Sequence, residues 1–263
     1  MMMFSHEKRC NYQHNQLAEV ICQLRFPEIL AIQANLPVDF QEAIRDAFPV
    51  YTSRKEMPAP KLSGSPGNFS IEKQVPAINH QFATVDGIWR VNLTSKFISL
   101  ACTRYTSWED FAARLDRPLA ALIQVYKPAH FDRVGLRYVN FISRRELDLK
   151  EIPFAQLIEP CYTGPLSEDD VNETGVLRCS VDTEMKLHGG CRVKLHAGPG
   201  LVKRPGRADD EVKFIFDQDL YMTGPIPVNG SVAALQTLHA QAWPIFRGAI
   251  TAQLHWAMDP VEY

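Results

Sequence analysis

The sequence predicts an α+β fold of two pseudo-repeated β-α-β(3-4)-α halves, residues 1–129 and 130–263, packed as one compact unit with antiparallel sheets covered by long helices. Three observations carry that expectation. Runs of branched and aromatic residues alternate with polar ones at the two-residue period of strands. Two long stretches, 106–126 and 231–258, instead repeat apolar residues at helical spacing, and each contains one proline, Pro118 and Pro244. The opening strands of the two halves also align, Gln23-Leu24-Arg25-Phe26 against Gly135-Leu136-Arg137-Tyr138.

Each element follows from local chemistry. Leu17 to Phe26 is rich in branched residues and stops at Pro27, as a strand would. A helix follows, capped by Asp39, with Phe40, Ile44 and Phe48 on one face and Pro49 as its stop. The Pro-, Ser- and Gly-rich stretch 52–68 reads as a loop. Residues 69–105 read as an antiparallel meander turned at Asp86-Gly87. Thr106 and Glu109 have capping-box spacing at the start of the 106–126 helix. The second half repeats the order: a strand over 131–142, a short helix over 154–159, strands over 177–187, 191–196 and 212–220, and one helix from Ser231 to Met258. His188-Gly189-Gly190 supplies the turn between the first two of those later strands.

Hydrophobic residues make up 46% and charged residues 22% of the chain, a balance that supports a packed core and excludes disorder as the main state. A net charge of -2 and a pI near 6.4 argue against nucleic acid or an anionic membrane surface as the partner. Six scattered cysteines without a CxxC pair read as reduced, buried thiols, which together with the lack of a signal-like or membrane-spanning stretch points to the cytoplasm.

Catalytic signatures are missing. The chain has no Walker-type phosphate loop, no GxGxxG after a strand, no HExxH and no GxSxG, so non-catalytic function is the stronger expectation and no cofactor is called for. The anion-binding candidates are Arg25 and Arg137, one on each opening strand, because paired guanidinium forks can clamp a phosphate or carboxylate. Lys203, Arg204 and Arg207 join them, following Gly198-Pro199-Gly200 in what reads as a loop that could offer backbone N–H groups to the same ligand. A weaker set, Asp170, Glu184 and Lys186, with the similar pair Glu211 and Lys213, has the residue types of a metal-dependent nuclease, although alternating charges on a solvated strand produce that spacing without any chemistry. Cys179, His188, Cys191 and His196 have zinc-ligand chemistry, but Cys191 and His196 fall on opposite faces of one strand.

The stretches NQLAEVICQLRFPEIL, FQEAIRDAFPVY, YTSWEDFAARL and RVGLRYVNFI together resemble an uncharacterised bacterial protein family of sporadic distribution, and the late tryptophan of that family corresponds to Trp256. The resemblance implies a mobile defence or toxin-antitoxin module, with no reaction, cofactor or catalytic residue attached. The resulting expectation is a non-catalytic binding or regulatory protein acting through a protein partner. A sensor of a small anion or nucleotide is the alternative, and a metal-dependent nuclease the second.

Overall fold

A computed structural model describes residues 3–56, 61–65, 68–72, 76–202 and 209–262. Along the chain run β1 (Cys10–Tyr12), β2 (Leu17–Arg25), α1 (Leu30–Ala34), α2 (Val38–Ile44), β3 (Val50–Glu56), β4 (Lys61–Ser65) and β5 (Asn68–Glu72). They are followed by β6 (Ala77–Ala83), β7 (Trp89–Leu93), β8 (Phe97–Cys102), α3 (Trp108–Tyr126) and β9 (Phe131–Ile142). Next come α4 (Phe154–Leu157), α5 (Pro160–Thr163), β10 (Val181–Lys186), β11 (Arg192–Leu201), β12 (Val212–Ile226), α6 (Ser231–Ala249), α7 (Ala252–Ala257) and β13 (Pro260–Glu262). The fold is mixed helix and sheet. Nine strands form one antiparallel sheet in the order β10-β11-β12-β9-β2-β8-β7-β6-β3, while β1-β13 and β4-β5 make two-stranded ladders. Among the described residues, no helix is long and apolar enough to cross a membrane.

The chain divides into two compact units, the first comprising Met1–Ile21, Gly135–Met222 and Val232–Tyr263, the second Cys22–Val134 and Thr223–Ser231. In the second unit, β6, β7 and β8 form the expected meander over 77–102, whereas β5, expected as its first strand, pairs with β4 instead; Gly87 turns the meander at φ +69° while the Asp86 carboxylate accepts from Ile88 N–H at 3.0 Å. Helix α3 buries Phe111, Leu115, Leu119 and Leu122, with the Phe111 and Trp89 rings 5.6 Å apart. Phe40 of α2 is also fully buried, 5.3 Å from Phe82.

Local signals were displaced by one or two residues where several candidates compete. Ser107, not Thr106, caps α3: its hydroxyl accepts from Asp110 N–H at 3.2 Å, while Thr106 donates to the Asp110 carboxylate. Asp39 lies in the first turn of α2 and Pro37 occupies the cap, so the aspartate meets the helix dipole and leaves the N–H groups uncapped by side chains. Within the expected loop 52–68, the described residues are strand: 52–56 lie in β3, 61–65 in β4, and Asn68 opens β5. Every residue of β3 from Val50 to Glu56 is in register with β6, from Ala83 to Ala77, because backbone pairing outweighs the local turn preference of the serines.

In the first unit, β12 buries Phe214, Phe216 and Leu220 on one face and leaves Asp217 and Asp219 partly exposed on the other. The expected loop at Gly198-Pro199-Gly200 is instead the end of β11, opposite Ile215, Phe214 and Lys213. Gly198 is required by close approach, since a Cβ there would stand 2.4 Å from the Cys179 carbonyl oxygen. The expected single closing helix is two. Thr251 donates its N–H to Leu157 O at 3.0 Å and its hydroxyl to Gln156 O at 2.8 Å, while Ile250 bridges Ile158. Those bonds pull residues 250 and 251 out of the helix, and Thr251 then caps α7.

Candidate functional site

On the first unit, the polar face of β10, β11 and β12 carries a ladder of paired charges. Asp182 stands opposite His196, and the imidazole Nδ1 lies 2.7 Å from the carboxylate. His196 in turn stands opposite Asp217, which holds Arg137 of β9 through two parallel hydrogen bonds, Nε to Oδ1 at 2.8 Å and Nη2 to Oδ2. In the next row Glu184 stands opposite Lys194, 3.8 Å from its ammonium, and also accepts from the Tyr221 hydroxyl. The tyrosine hydrogen bond is the main reason that the Glu184 carboxyl lies below its ordinary range. Opposite charges face one another across these rows, as cross-strand pairing favours.

These contacts place most of the sequence candidates. The Arg137 fork is engaged by Asp217, which raises its already high pKa further, and Arg25 is exposed at the end of β2 in the second unit. Lys203, Arg204 and Arg207 lie outside the described residues. Asp170 is exposed in the segment before β10, and Lys186 ends β10 opposite Arg192.

The Glu211 carboxylate accepts from the Ser143 hydroxyl at 2.7 and 2.9 Å and from Arg145 N–H at 2.8 Å, holding the turn after β9. Lys213 pairs with Asp209 at 2.8 Å. Among the described residues, no group of three histidine, cysteine, aspartate or glutamate side chains could hold a metal ion. The Cys179 thiol points to Thr163 O at 3.5 Å, and Cys191 accepts from Gln241 at 3.2 Å. Of the six cysteines read as buried, Cys22, Cys102 and Cys191 are so, Cys10 and Cys179 are half-buried, and Cys161 is exposed.

Sequence reasoning missed the segment before β1. Residues Met3 to Arg9 run along α6: Ser5 N–H donates to Pro244 O at 2.9 Å, Trp243 Nε1 to Glu7 O at 3.0 Å, and Arg247 Nε to the Glu7 carboxylate at 2.8 Å. Arg9 reaches Nε2 of His239, whose Nδ1 meets the Tyr138 hydroxyl at 2.7 Å. Burial, with the Arg9 charge, pushes the His239 pKa down to about 3, so the imidazole is neutral and its Nε2 accepts from the guanidinium. Two cavities flank this strap, of about 580 Å³ and about 430 Å³, and both are lined by Ser5 and His6. The only sequence-level hint is Pro244, which signals an irregular helix and not a cavity.

The second unit contributes a different feature. Helices α1 and α2 bury Ile32, Phe40 and Ile44, whereas Leu30 of α1 and Leu36 between the helices are exposed at 71% and 70%, with Val38 of α2 and Val50 of β3 also exposed. The spacing that identified α2 reports its buried stripe and is silent about these exposed side chains. The chain matches no protein-family model and no curated protein.

Proposed function

We propose that the chain is a non-catalytic binding or regulatory protein that acts through a protein partner. The observation that carries the reading is the exposed apolar set Leu30, Leu36, Val38 and Val50 in the second unit, on or beside α1, α2 and β3, while Ile32, Phe40 and Ile44 of the same helices supply the core. Apolar side chains in excess of what a core consumes are characteristic of a protein contact surface. Among the described residues, the Asp182–His196, Glu184–Lys194 and Arg137–Asp217 pairs of the first unit's sheet face are engaged with one another, which supports the same reading. The mobile-module setting implied by the family resemblance makes a co-encoded effector the natural partner, in the cytoplasm. The pseudo-repeat belongs to the same proposal: α3 and α6 each have 19 residues and one internal proline, and they close halves that open on β2 and β9.

The test is affinity capture of the tagged protein from its native host, beside the triple variant Leu30→Glu/Leu36→Glu/Val38→Glu. The reading expects a stoichiometric partner on the parent, lost at least about tenfold on the variant, with the circular dichroism spectrum and melting temperature of the two chains alike. Retention of the partner by a folded variant overturns the surface. Recovery of the parent without any partner overturns the function.

A further inference from the structure

We propose that the larger cavity beside the Met3–His6 strap of the first unit binds a small amphipathic carboxylate, such as a medium-chain fatty acid. Its volume, about 580 Å³, lies within the range of small-molecule sites. Its wall divides by chemistry. Phe4, Met3, Leu187 and Pro244 supply an apolar surface, whereas Lys186, His6 and His188 supply cationic and hydrogen-bonding groups. Among the described residues that line it there is no aspartate or glutamate. Such a wall fits a ligand with an apolar body and one negative end, and would repel neither part.

The sheet register singles out the same corner. Two rows of the β10-β11 ladder place opposite charges face to face, Asp182 with His196 and Glu184 with Lys194. The third row, at the cavity, places Lys186 opposite Arg192. Like charges directly opposite one another oppose pairing. Arg192 has Tyr221 and Glu184 as neighbours, but Lys186 makes no ion pair among the described residues. An anion in the cavity would complete the row that the chain itself leaves unbalanced.

The strap forms part of the wall, and a single glycine sets its position. A Cβ on Gly248 would stand 2.4 Å from Met3 O and 3.1 Å from Ser5 N, and Gly248 is not among the residues lining this cavity. A bulky side chain at 248 would therefore displace Met3 to Ser5 without replacing any lining residue.

Decanoate below its micellar concentration, followed by saturation-transfer NMR with the full chain, tests the proposal, with decyltrimethylammonium as the cationic counterpart. The expected result is saturable binding of decanoate with the cation at least about tenfold weaker, and about a tenfold loss in Lys186→Glu, corresponding to one charge contact. Gly248→Val should lose binding as well. Absence of saturable decanoate binding overturns the proposal, as does equal binding of the two amphiphiles or unchanged affinity in a folded Lys186→Glu chain. None of these outcomes bears on the partner surface of the second unit.

Discussion

Arg137 grips Asp217 with both arms of its guanidinium, and the two partners differ in exposure: the arginine side chain is 46% exposed and the aspartate 15%. The carboxylate is the more desolvated member, so it depends more on the pair. Removing the arginine leaves a largely covered charge without its counterion, whereas removing both leaves neither.

Arg137→Ala is therefore expected to destabilise the protein more than Arg137→Ala/Asp217→Ala does. The coupling should be about 1 kcal/mol, the range of a well-formed but partly solvated bidentate pair. A double-mutant cycle by urea denaturation measures it. Additive effects would show that the two hydrogen bonds contribute nothing in solution.

His239 contributes to acid sensitivity. Its folded pKa, about 3, lies below the ordinary 6.5, so the unfolded chain takes up a proton that the folded chain refuses. The sign follows: this contribution is present above pH 6.5 and is lost as pH falls from 6.5 toward 3. The difference amounts to at most about 5 kcal/mol. His239→Gln should have a flatter stability profile across that window, measured by denaturant titration at a series of pH values. A profile parallel to the parent's would mean that the imidazole is not buried as described.

Gly198→Ala should cost about 2 kcal/mol, in the range of overpacking and backbone displacement. The added methyl meets the Cys179 carbonyl oxygen and the Ser180 Cα, neither of which is a flexible side-chain end. Gly175→Ala is the control, because nothing lies within 4 Å of a Cβ there and its backbone is not left-handed. Equal melting temperatures for the two variants would refute the close approach.

Strands were the most legible part of the sequence. Leu17 to Arg25 and Trp89 to Leu93 follow from alternation, because one more deeply buried face imposes a two-residue period, whereas Phe97 to Cys102 and Phe131 to Ile142 are covered on both faces and follow from their runs of apolar residues. Helix α3 was legible for the same kind of reason, its cap excepted: two adjacent hydroxyl residues, Thr106 and Ser107, each have an acidic residue three positions on. Nothing local decides between them.

The candidate site was far less legible. Arg137 and Glu184 attract notice as charged residues on strands, but whether such a group is available to a ligand depends on the residue opposite. That is set by register between strands, across one hairpin where Glu184 meets Lys194 and across distant parts of the sequence where Arg137 meets Asp217. The cavity beside the strap joins residues 3–6, 186–188 and 241–244, segments with no shared pattern.

The sequence by itself determined most of the strands and helices, which faces of them seek a core, and that the chain carries none of the common catalytic motifs. Tertiary structure decided which charges are spent on one another, where the last helix breaks and which apolar residues remain in water. The division has one physical cause: periodicity is fixed by bonds along the chain, whereas pairing and exposure are fixed by the segments that fold against it.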